Sequence, residues 1–135
     1  ATLQMKTSEV LNKAADLLRE RGWIGEGGQG WEDESDDPLC IEGAIRAAMG
    51  PEIGYYGGFT TGPNNCPAGQ AVRDYLELGE WSIGKELFTW NDELVIVDGA
   101  WVCARTGEDV IEVLRATALI AAAREETHEA AEVSV

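Results

Sequence analysis

Basic side chains are scarce in this chain of 135 residues. Ten lysines and arginines stand against 25 aspartates and glutamates, which gives a formal net charge of −15, and there is a single histidine. Negative charge of this size repels phosphate backbones and anionic lipid headgroups, so we expect neither direct nucleic-acid binding nor membrane binding. The charge is compatible with simple solubility, with a basic protein partner, or with mimicry of a nucleic acid.

Cysteine is also sparse. Cys40, Cys66 and Cys103 are widely separated, and no two of them form a Cys-x-x-Cys pair. An odd count without such pairs favours a reducing compartment over a disulfide framework. There is no signal-peptide pattern, and the longest apolar run without charge, residues 116–123, is far shorter than the roughly 20 residues that span a bilayer. We therefore expect a cytoplasmic protein.

Residues with the chemistry of catalysis or metal binding lack the usual spacing. The three cysteines and His128 are not arranged in the short pairs of zinc motifs, so we expect no metal and no cofactor. Cys40 is the best candidate nucleophile, because the first turn of a helix lowers the pKa of a thiol. Nearby acids, among them Asp37 and Glu42, oppose thiolate formation. We interpret Cys40 as a small core residue and favour a protein that is not an enzyme, without deciding the question.

Apolar residues make up 44% of the chain, which is enough for the core of one folded domain spanning residues 1–135. Helical periodicity and capping residues predict four main helices, near residues 8–21, 38–49, 67–78 and 106–124 or beyond. Asp37 is the predicted cap of the second helix, with Pro38 as its first residue. The fourth is predicted to be a buried central helix, and residues 1–6 and 125–135 to be flexible ends. Residues 86–90 fit a helical turn or a short strand.

One β-hairpin is predicted near residues 94–104. Two runs of β-branched and aromatic residues flank Asp98-Gly99, the strongest short-range signal for a tight turn. Because an isolated two-stranded ribbon is marginal in water, we expect the hairpin to pack on the helices. The predicted fold is mostly α, a compact four-helix domain with one inserted β-hairpin.

Aromatic residues in glycine-rich loops form the predicted partner surface. Such residues supply much contact area at a low entropic cost, and acidic neighbours would form a rim around them. Packing over a small core is the alternative interpretation. The predicted surface comprises Trp31, Asp33, Glu34, Asp36, Tyr55, Tyr56, Phe59 and Trp81.

Two segments carry a resemblance to a known family. They are Pro-Leu-Cys-x-x-Gly-Ala-Ile at residues 38–45, and an Asn91-Asp92 pair that precedes Arg105-Thr106. The chain resembles, over most of its length, a family of small uncharacterised proteins of actinobacteria and their bacteriophages, a domain of unknown function. In that family the two pairs are only a few residues apart, so the resemblance implies that residues 93–104 are inserted here. It implies a bacterial or infected-cell cytoplasm and no catalytic residues.

Three functions remain open at this point. The leading hypothesis is a non-enzymatic, acidic binding protein, for example a phage-encoded modulator of a host protein, whose hairpin edge could also pair with a second copy. The second is a nucleic-acid mimic, which needs carboxylates spaced like phosphates on one face. The third is an enzyme with a thiol or carboxylate site that the sequence does not reveal.

Overall fold

The computed structural model describes residues 5–25, 37–50, 62–79 and 85–133, the last four without their side chains. These residues form a mostly helical fold with one antiparallel β-hairpin, which confirms the predicted fold class. One helix is added to the four that were predicted: α4 (Leu87–Asn91) forms in the segment that fitted either a helical turn or a short strand. The elements in chain order are α1 (Thr7–Arg21), α2 (Ile41–Met49), α3 (Pro67–Tyr75), α4 (Leu87–Asn91), β1 (Leu94–Val97), β2 (Ala100–Cys103) and α5 (Gly107–Val133).

The hydrophobic core lies where α1 packs against α5 on one side and α2 on the other. Apolar residues of α1 recur at helical spacing and point to this core, as predicted. The fourth predicted helix corresponds to α5, which is not buried all round: Leu119 is 74% exposed and Ile120 is also exposed. Its other face packs against α1 and α3. The largest fully buried apolar side chains are Leu11, Leu18, Leu39, Ile41, Ile45, Val72, Leu87, Val110 and Leu114.

Helix α2 begins three residues later than predicted, at Ile41 and not at Pro38. The reason is a parallel bridge between the segments that follow α1 and precede α2. The N–H of Leu39 donates to the carbonyl of Gly22 at 3.0 Å, and the N–H of Ile24 donates to the carbonyl of Leu39 at 3.1 Å. This pairing holds Leu39 extended, so the helix starts only after it.

Thiol sulfurs occupy the N-cap positions of two helices. Cys40 takes the position predicted for Asp37, and its Sγ accepts a hydrogen bond from the Gly43 N–H at 3.4 Å. Cys66 caps α3 in the same way, with the Gly69 N–H donating to its Sγ at 3.3 Å. Both cysteines are therefore part of helix starts.

The hairpin forms as predicted, but it does not pack along any of the described helices. Asp98 and Gly99 both have positive φ, at 51° and 82°, as a type I′ turn requires. Seven of the eight strand residues are exposed, which contradicts the expected packing. The apolar faces of α1, α2 and α5 cover one another instead. The register pairs Leu94 with Cys103, Val95 with Val102, Ile96 with Trp101 and Val97 with Ala100.

Helix α5 starts at a reciprocal cap and runs to Val133, as the prediction of an end at residue 124 or beyond allows. The Thr106 N–H donates to Asp109 Oδ2 at 2.8 Å, and the Asp109 N–H donates to Thr106 Oγ1 at 3.2 Å. Residues 125–133 continue the helix, and Glu125 accepts hydrogen bonds from the N–H and hydroxyl of Ser8 at 3.1 and 2.6 Å. Flexibility of the two ends stays a prediction. None of the described helices is both long and apolar enough to cross a membrane.

Candidate functional site

The predicted partner surface lies outside the residues that the structure describes. Its role therefore stays a prediction, and the candidate site is built from other residues. All eight residues of this surface lie outside the described ranges: Trp31, Asp33, Glu34, Asp36, Tyr55, Tyr56, Phe59 and Trp81.

Asn91, which the sequence marked only as part of a motif, is a buried junction between distant segments. It is 1% exposed. Its Oδ1 accepts hydrogen bonds from Trp23 Nε1 at 2.6 Å and from the Ile41 N–H at 2.9 Å. Its Nδ2 donates to the Ile24 carbonyl at 3.0 Å and to Asp92 Oδ1 at 2.9 Å. The side chain thus uses all four of its hydrogen-bonding positions within the protein.

Arg105 fastens the base of the hairpin to α4. Its guanidinium lies 4.0 Å from the centre of the Trp90 ring, a cation–π contact, and donates to the Trp90 carbonyl. It also donates to Glu93 Oε1 at 2.9 Å, while Lys85 Nζ lies 3.2 Å from Glu93 Oε2. The hydrogen bond from Arg105, aided by Lys85, lowers the pKa of the Glu93 carboxyl. Glu93 is therefore ionised, and its negative charge is balanced by Arg105 and Lys85.

Glu42 is the carboxylate in the described residues that most resembles a tuned acid. Burial raises the pKa of its carboxyl, and hydrogen bonds from Asn64 and the Phe88 N–H partly offset that effect. The Phe88 N–H donates to Glu42 Oε2 at 2.6 Å, so the carboxylate satisfies the exposed amides at the start of α4. This role explains why a carboxylate stands at a half-buried position.

Arg73 is a buried cation held by neutral oxygens. It donates to Asn64 Oδ1 at 3.1 Å, to the Gly79 carbonyl at 2.9 Å and to the Lys85 carbonyl. Asn64 Oδ1 also accepts from the Leu87 N–H at 2.8 Å. Within the described part of the chain, every buried side-chain nitrogen and oxygen has a hydrogen-bond partner. The buried polar groups of these residues are therefore engaged in hydrogen bonds within the fold.

Cys40 has the surroundings of a structural thiol. Burial raises the pKa of its thiol to about 11, so almost no thiolate forms at neutral pH. Burial also raises the pKa of Cys66. Over the described ranges, no group of three or more histidine, cysteine or acidic residues is placed to hold a metal ion.

The hairpin exposes apolar side chains on both of its faces. We define the hairpin surface as residues 94–97 and 100–103. Cross-strand partners share a face, so Ile96 and Trp101 lie together, 60% and 65% exposed. The opposite face is also apolar and exposed. The six large apolar side chains of the surface are Leu94, Val95, Ile96, Val97, Trp101 and Val102.

The outer edge of β1 is open for further pairing. The described sheet has only two strands, and the Ala104 N–H donates to the Glu93 carbonyl at 2.8 Å. Antiparallel pairs alternate between bonded and non-bonded, so Val95 bonds to β2, whereas the N–H and C=O groups of Leu94 and Ile96 point outward. Neither strand contains a charged residue or a proline, the usual protections of an edge.

A sequence signal for this exposure exists. Both strands are continuous apolar runs with no polar alternation, a pattern typical of strands covered on both faces. The pattern indicates two apolar faces, which the structure shows to be exposed, and it does not say what covers them.

A cleft lies between α3 and α5. This cleft has a volume of about 530 Å³, and Tyr75, Ile120 and Arg124 are among its lining residues. The size is that of a small-molecule site, but the described residues place no unpartnered buried polar group in it. Its lining also carries polar and charged side chains, among them Gln70, Asp74 and Glu125, and Glu125 already accepts hydrogen bonds from Ser8.

The fold and its buried contacts define a small, mostly helical domain with a projecting β-hairpin. A model of the family of unknown function DUF6197 matches residues 3–120, so the chain belongs to that family. The matched range includes both motif segments and the hairpin. Comparison with curated proteins and with solved structures found no match.

Proposed function

We propose that this protein is a non-enzymatic, acidic binding protein that acts through protein–protein contacts made by the hairpin surface. The observation that supports the proposal is the exposure of an apolar hairpin on both faces. The function would be that of a modulator which binds another protein of the bacterial cell, encoded by an actinobacterium or by a bacteriophage.

The size of the hairpin surface supports this proposal. From their exposed fractions, its six large side chains present on the order of 600 Å² of apolar area, divided between the two faces of the hairpin, against the roughly 800 Å² that each partner contributes to a standard interface. Monomeric proteins rarely expose contiguous apolar patches of more than a few hundred Å², and larger ones mark interaction sites. A central, exposed Trp101 is also the residue type that most often dominates binding energy.

The setting of the proposed function follows from composition. The three cysteines are free thiols, which fits the reducing cytoplasm of a bacterium or of an infected host cell. The resemblance of the motif segments to actinobacterial and phage proteins supports the proposed origin.

The other two hypotheses receive less support. The described buried polar groups are fully engaged, and the Cys40 thiol is protonated at neutral pH, so neither offers a catalytic group. A nucleic-acid mimic needs a row of carboxylates spaced like phosphates on one face, and Asp16, Glu93 and Glu108, which are paired with basic side chains, would not contribute to such a row.

Site-specific photo-crosslinking in cells tests the proposed function. The full chain is expressed in an actinobacterial host with p-benzoylphenylalanine in place of Trp101. The matched control carries the same amino acid at Leu119, an apolar residue on α5 that is equally accessible. Irradiation is expected to give discrete covalent adducts with another protein at position 101 and none at position 119.

Two results would contradict the proposal. If position 101 gave no adduct, or the same adducts as position 119, the hairpin surface would not be a specific contact. If the adducts contained only a second copy of the chain, the surface would be a contact but the modulator role would be wrong.

A further inference from the structure

We propose that β1 pairs with β1 of a second copy of this chain, antiparallel and about a twofold axis, so that two hairpins form one four-stranded sheet. The inference rests on the proposed function in one respect, which is that the hairpin surface makes protein–protein contacts. It leaves Trp101 on the outer strands of the combined sheet, where it is available to another protein.

The open edge of β1 determines the geometry of this pairing. Its outward N–H and C=O groups belong to Leu94 and Ile96, as the register with β2 requires. With Val95 on the twofold axis, Leu94 of each chain lies opposite Ile96 of the other. Each such pair exchanges two hydrogen bonds, so a strand pairs with its own copy without any change of register, as an isologous contact requires.

The edge of β2 is less suited to pairing because its end lies against the rest of the molecule. The Cys103 sulfur is 3.3 Å from the point that a Cβ on Gly25 would occupy, and the Trp23 ring adjoins the same point. A second copy approaching β2 would meet these residues, whereas Leu94, the register partner of Cys103 at the same end of β1, is exposed.

Thermodynamics favours a partner strand at this place. A lone two-stranded ribbon is marginal in water, and three or more strands are needed for an independently stable sheet. This hairpin lacks a helix packed along it, so the described part of the chain does not itself provide the missing cover. A second hairpin doubles the number of strands and places the apolar side chains of the two ribbons side by side on the faces of one sheet.

A net charge of −15 opposes close approach in general. The register also brings Asp98 of each copy opposite Asp92 of the other, a like-charge pair at each end of the contact, whereas the strands between these ends carry little charge. The eight strand residues carry no charge, and Glu93 at the base is neutralised by Lys85 and Arg105. The turn residue Asp98 lies at opposite ends of the combined sheet in the two chains. With about 3.4 Å per residue the two carboxylates are roughly 20 Å apart, beyond the ~8 Å screening length at physiological salt.

The oligomeric state of the full chain tests the inference. Sedimentation equilibrium from about 1 to about 100 μM is expected to show a dimer for the native chain, an affinity range common for small contacts. Val95→Arg places two like charges at the axis and is expected to raise the dissociation constant about a hundredfold or more. Leu119→Arg, at an exposed apolar residue outside the hairpin, is the control and should leave the dimer unchanged.

Amide hydrogen exchange separates edge pairing from other modes of association. In the native dimer, the N–H groups of Leu94 and Ile96 are expected to be protected, and in the Val95→Arg monomer they should exchange rapidly. The Val97 N–H, which bonds to β2 within one hairpin, should stay protected in both and shows that the variant hairpin is folded.

The outcomes separate this inference from the proposed function. A native chain that stays monomeric up to about 100 μM, or a dimer that persists in Val95→Arg, overturns the pairing through β1. Rapid exchange at Leu94 and Ile96 in a native dimer overturns it as well. In each of these cases the photo-crosslinking result at position 101 still decides whether the hairpin surface binds another protein.

Discussion

At the scale of single residues, Asn91 connects parts of the chain that are far apart in sequence. Its partners Trp23 and Ile41 are 68 and 50 residues away. A buried amide that reaches both the segment after α1 and the first amide of α2 holds the start of one helix against the end of another. Replacing such a residue leaves several buried polar groups without a hydrogen-bond partner.

Replacing Asn91 should therefore destabilise the fold strongly. We expect Asn91→Ala to lower the free energy of unfolding by about 2–4 kcal/mol, because the Ile41 N–H and the Ile24 carbonyl lose their partner in a buried place. Urea denaturation measures this loss. Asn65→Ala is the matched control: its side chain binds only the exposed amide of Gln70, so a change within about 0.5 kcal/mol is expected. Equal losses in the two variants would contradict the role of Asn91.

Thiol reactivity tests the structural role of Cys40. Because the pKa of its thiol is raised from 9.0 to about 11, its thiolate fraction near neutral pH is about a hundredfold below that of an unfolded cysteine. Iodoacetamide should modify half-buried Cys103 first in the folded protein, and Cys40 only slowly. The Cys40 rate should rise about tenfold per pH unit, since only the thiolate reacts. Mass spectrometry of peptides measures each site, and modification of Cys40 as fast as Cys103 would return a nucleophilic role to consideration.

At the scale of elements, close backbone approach decides where α3 begins. The turn that precedes α3 runs so near its first residues that a Cβ on Gly69 would lie 1.6 Å from the Pro63 carbonyl oxygen. The same turn supplies Asn64, which binds Arg73 and the start of α4. A side chain at position 69 would therefore displace the connection between α3 and α4.

Gly69→Ala should cost about 3 kcal/mol of unfolding free energy, since backbone atoms would have to move. Gly50→Ala serves as the comparison. Gly50 has a φ of +91° but no atom within 4 Å of the added Cβ, so the expected cost is backbone strain alone, about 1–3 kcal/mol. Thermal unfolding followed by circular dichroism measures both. A smaller loss at position 69 than at position 50 would show that the turn before α3 shifts freely.

At the scale of the whole molecule, negative charge is distributed over a small body. Ion pairs such as Arg19–Glu108 and Arg115–Asp16 connect α1 to α5, but their side chains are largely solvent-exposed and stabilise little. The remaining acids repel one another, and this repulsion is greater in the compact state than in the unfolded chain. Screening of this repulsion by salt should therefore change the stability of the fold more than the loss of any single ion pair does.

Salt should accordingly stabilise the protein at pH 7. Raising sodium chloride from about 0.05 to about 0.5 M shortens the screening length severalfold, and we expect the melting temperature to rise by a few degrees. Differential scanning fluorimetry of the native chain and of the Val95→Arg variant separates this effect from self-association. A melting temperature that falls with salt in both proteins would mean that the ion pairs outweigh the repulsion.

Local signals were sufficient where the deciding residues are neighbours in sequence. Asp98-Gly99 determines the turn through backbone dihedrals, Thr106 and Asp109 cap α5 across one helical turn, and Pro67 starts α3. The predicted start of α2 was wrong because a hydrogen bond to Gly22, a residue of another segment, holds Leu39 extended. The junction at Asn91 could not be predicted either, since a Trp-Asn-Asp segment gives no indication of which distant amides it will meet.

By itself, the amino-acid order determined the helical class, the hairpin with its register, and the acidic surface. These depend on dihedral preferences and periodicities that act within a few residues. Only the tertiary structure decided that the hairpin projects from the helices and that buried Asn91 and Arg73 are fully satisfied. Burial is a property of the assembled chain, because an apolar strand is hidden or exposed according to what distant segments leave uncovered.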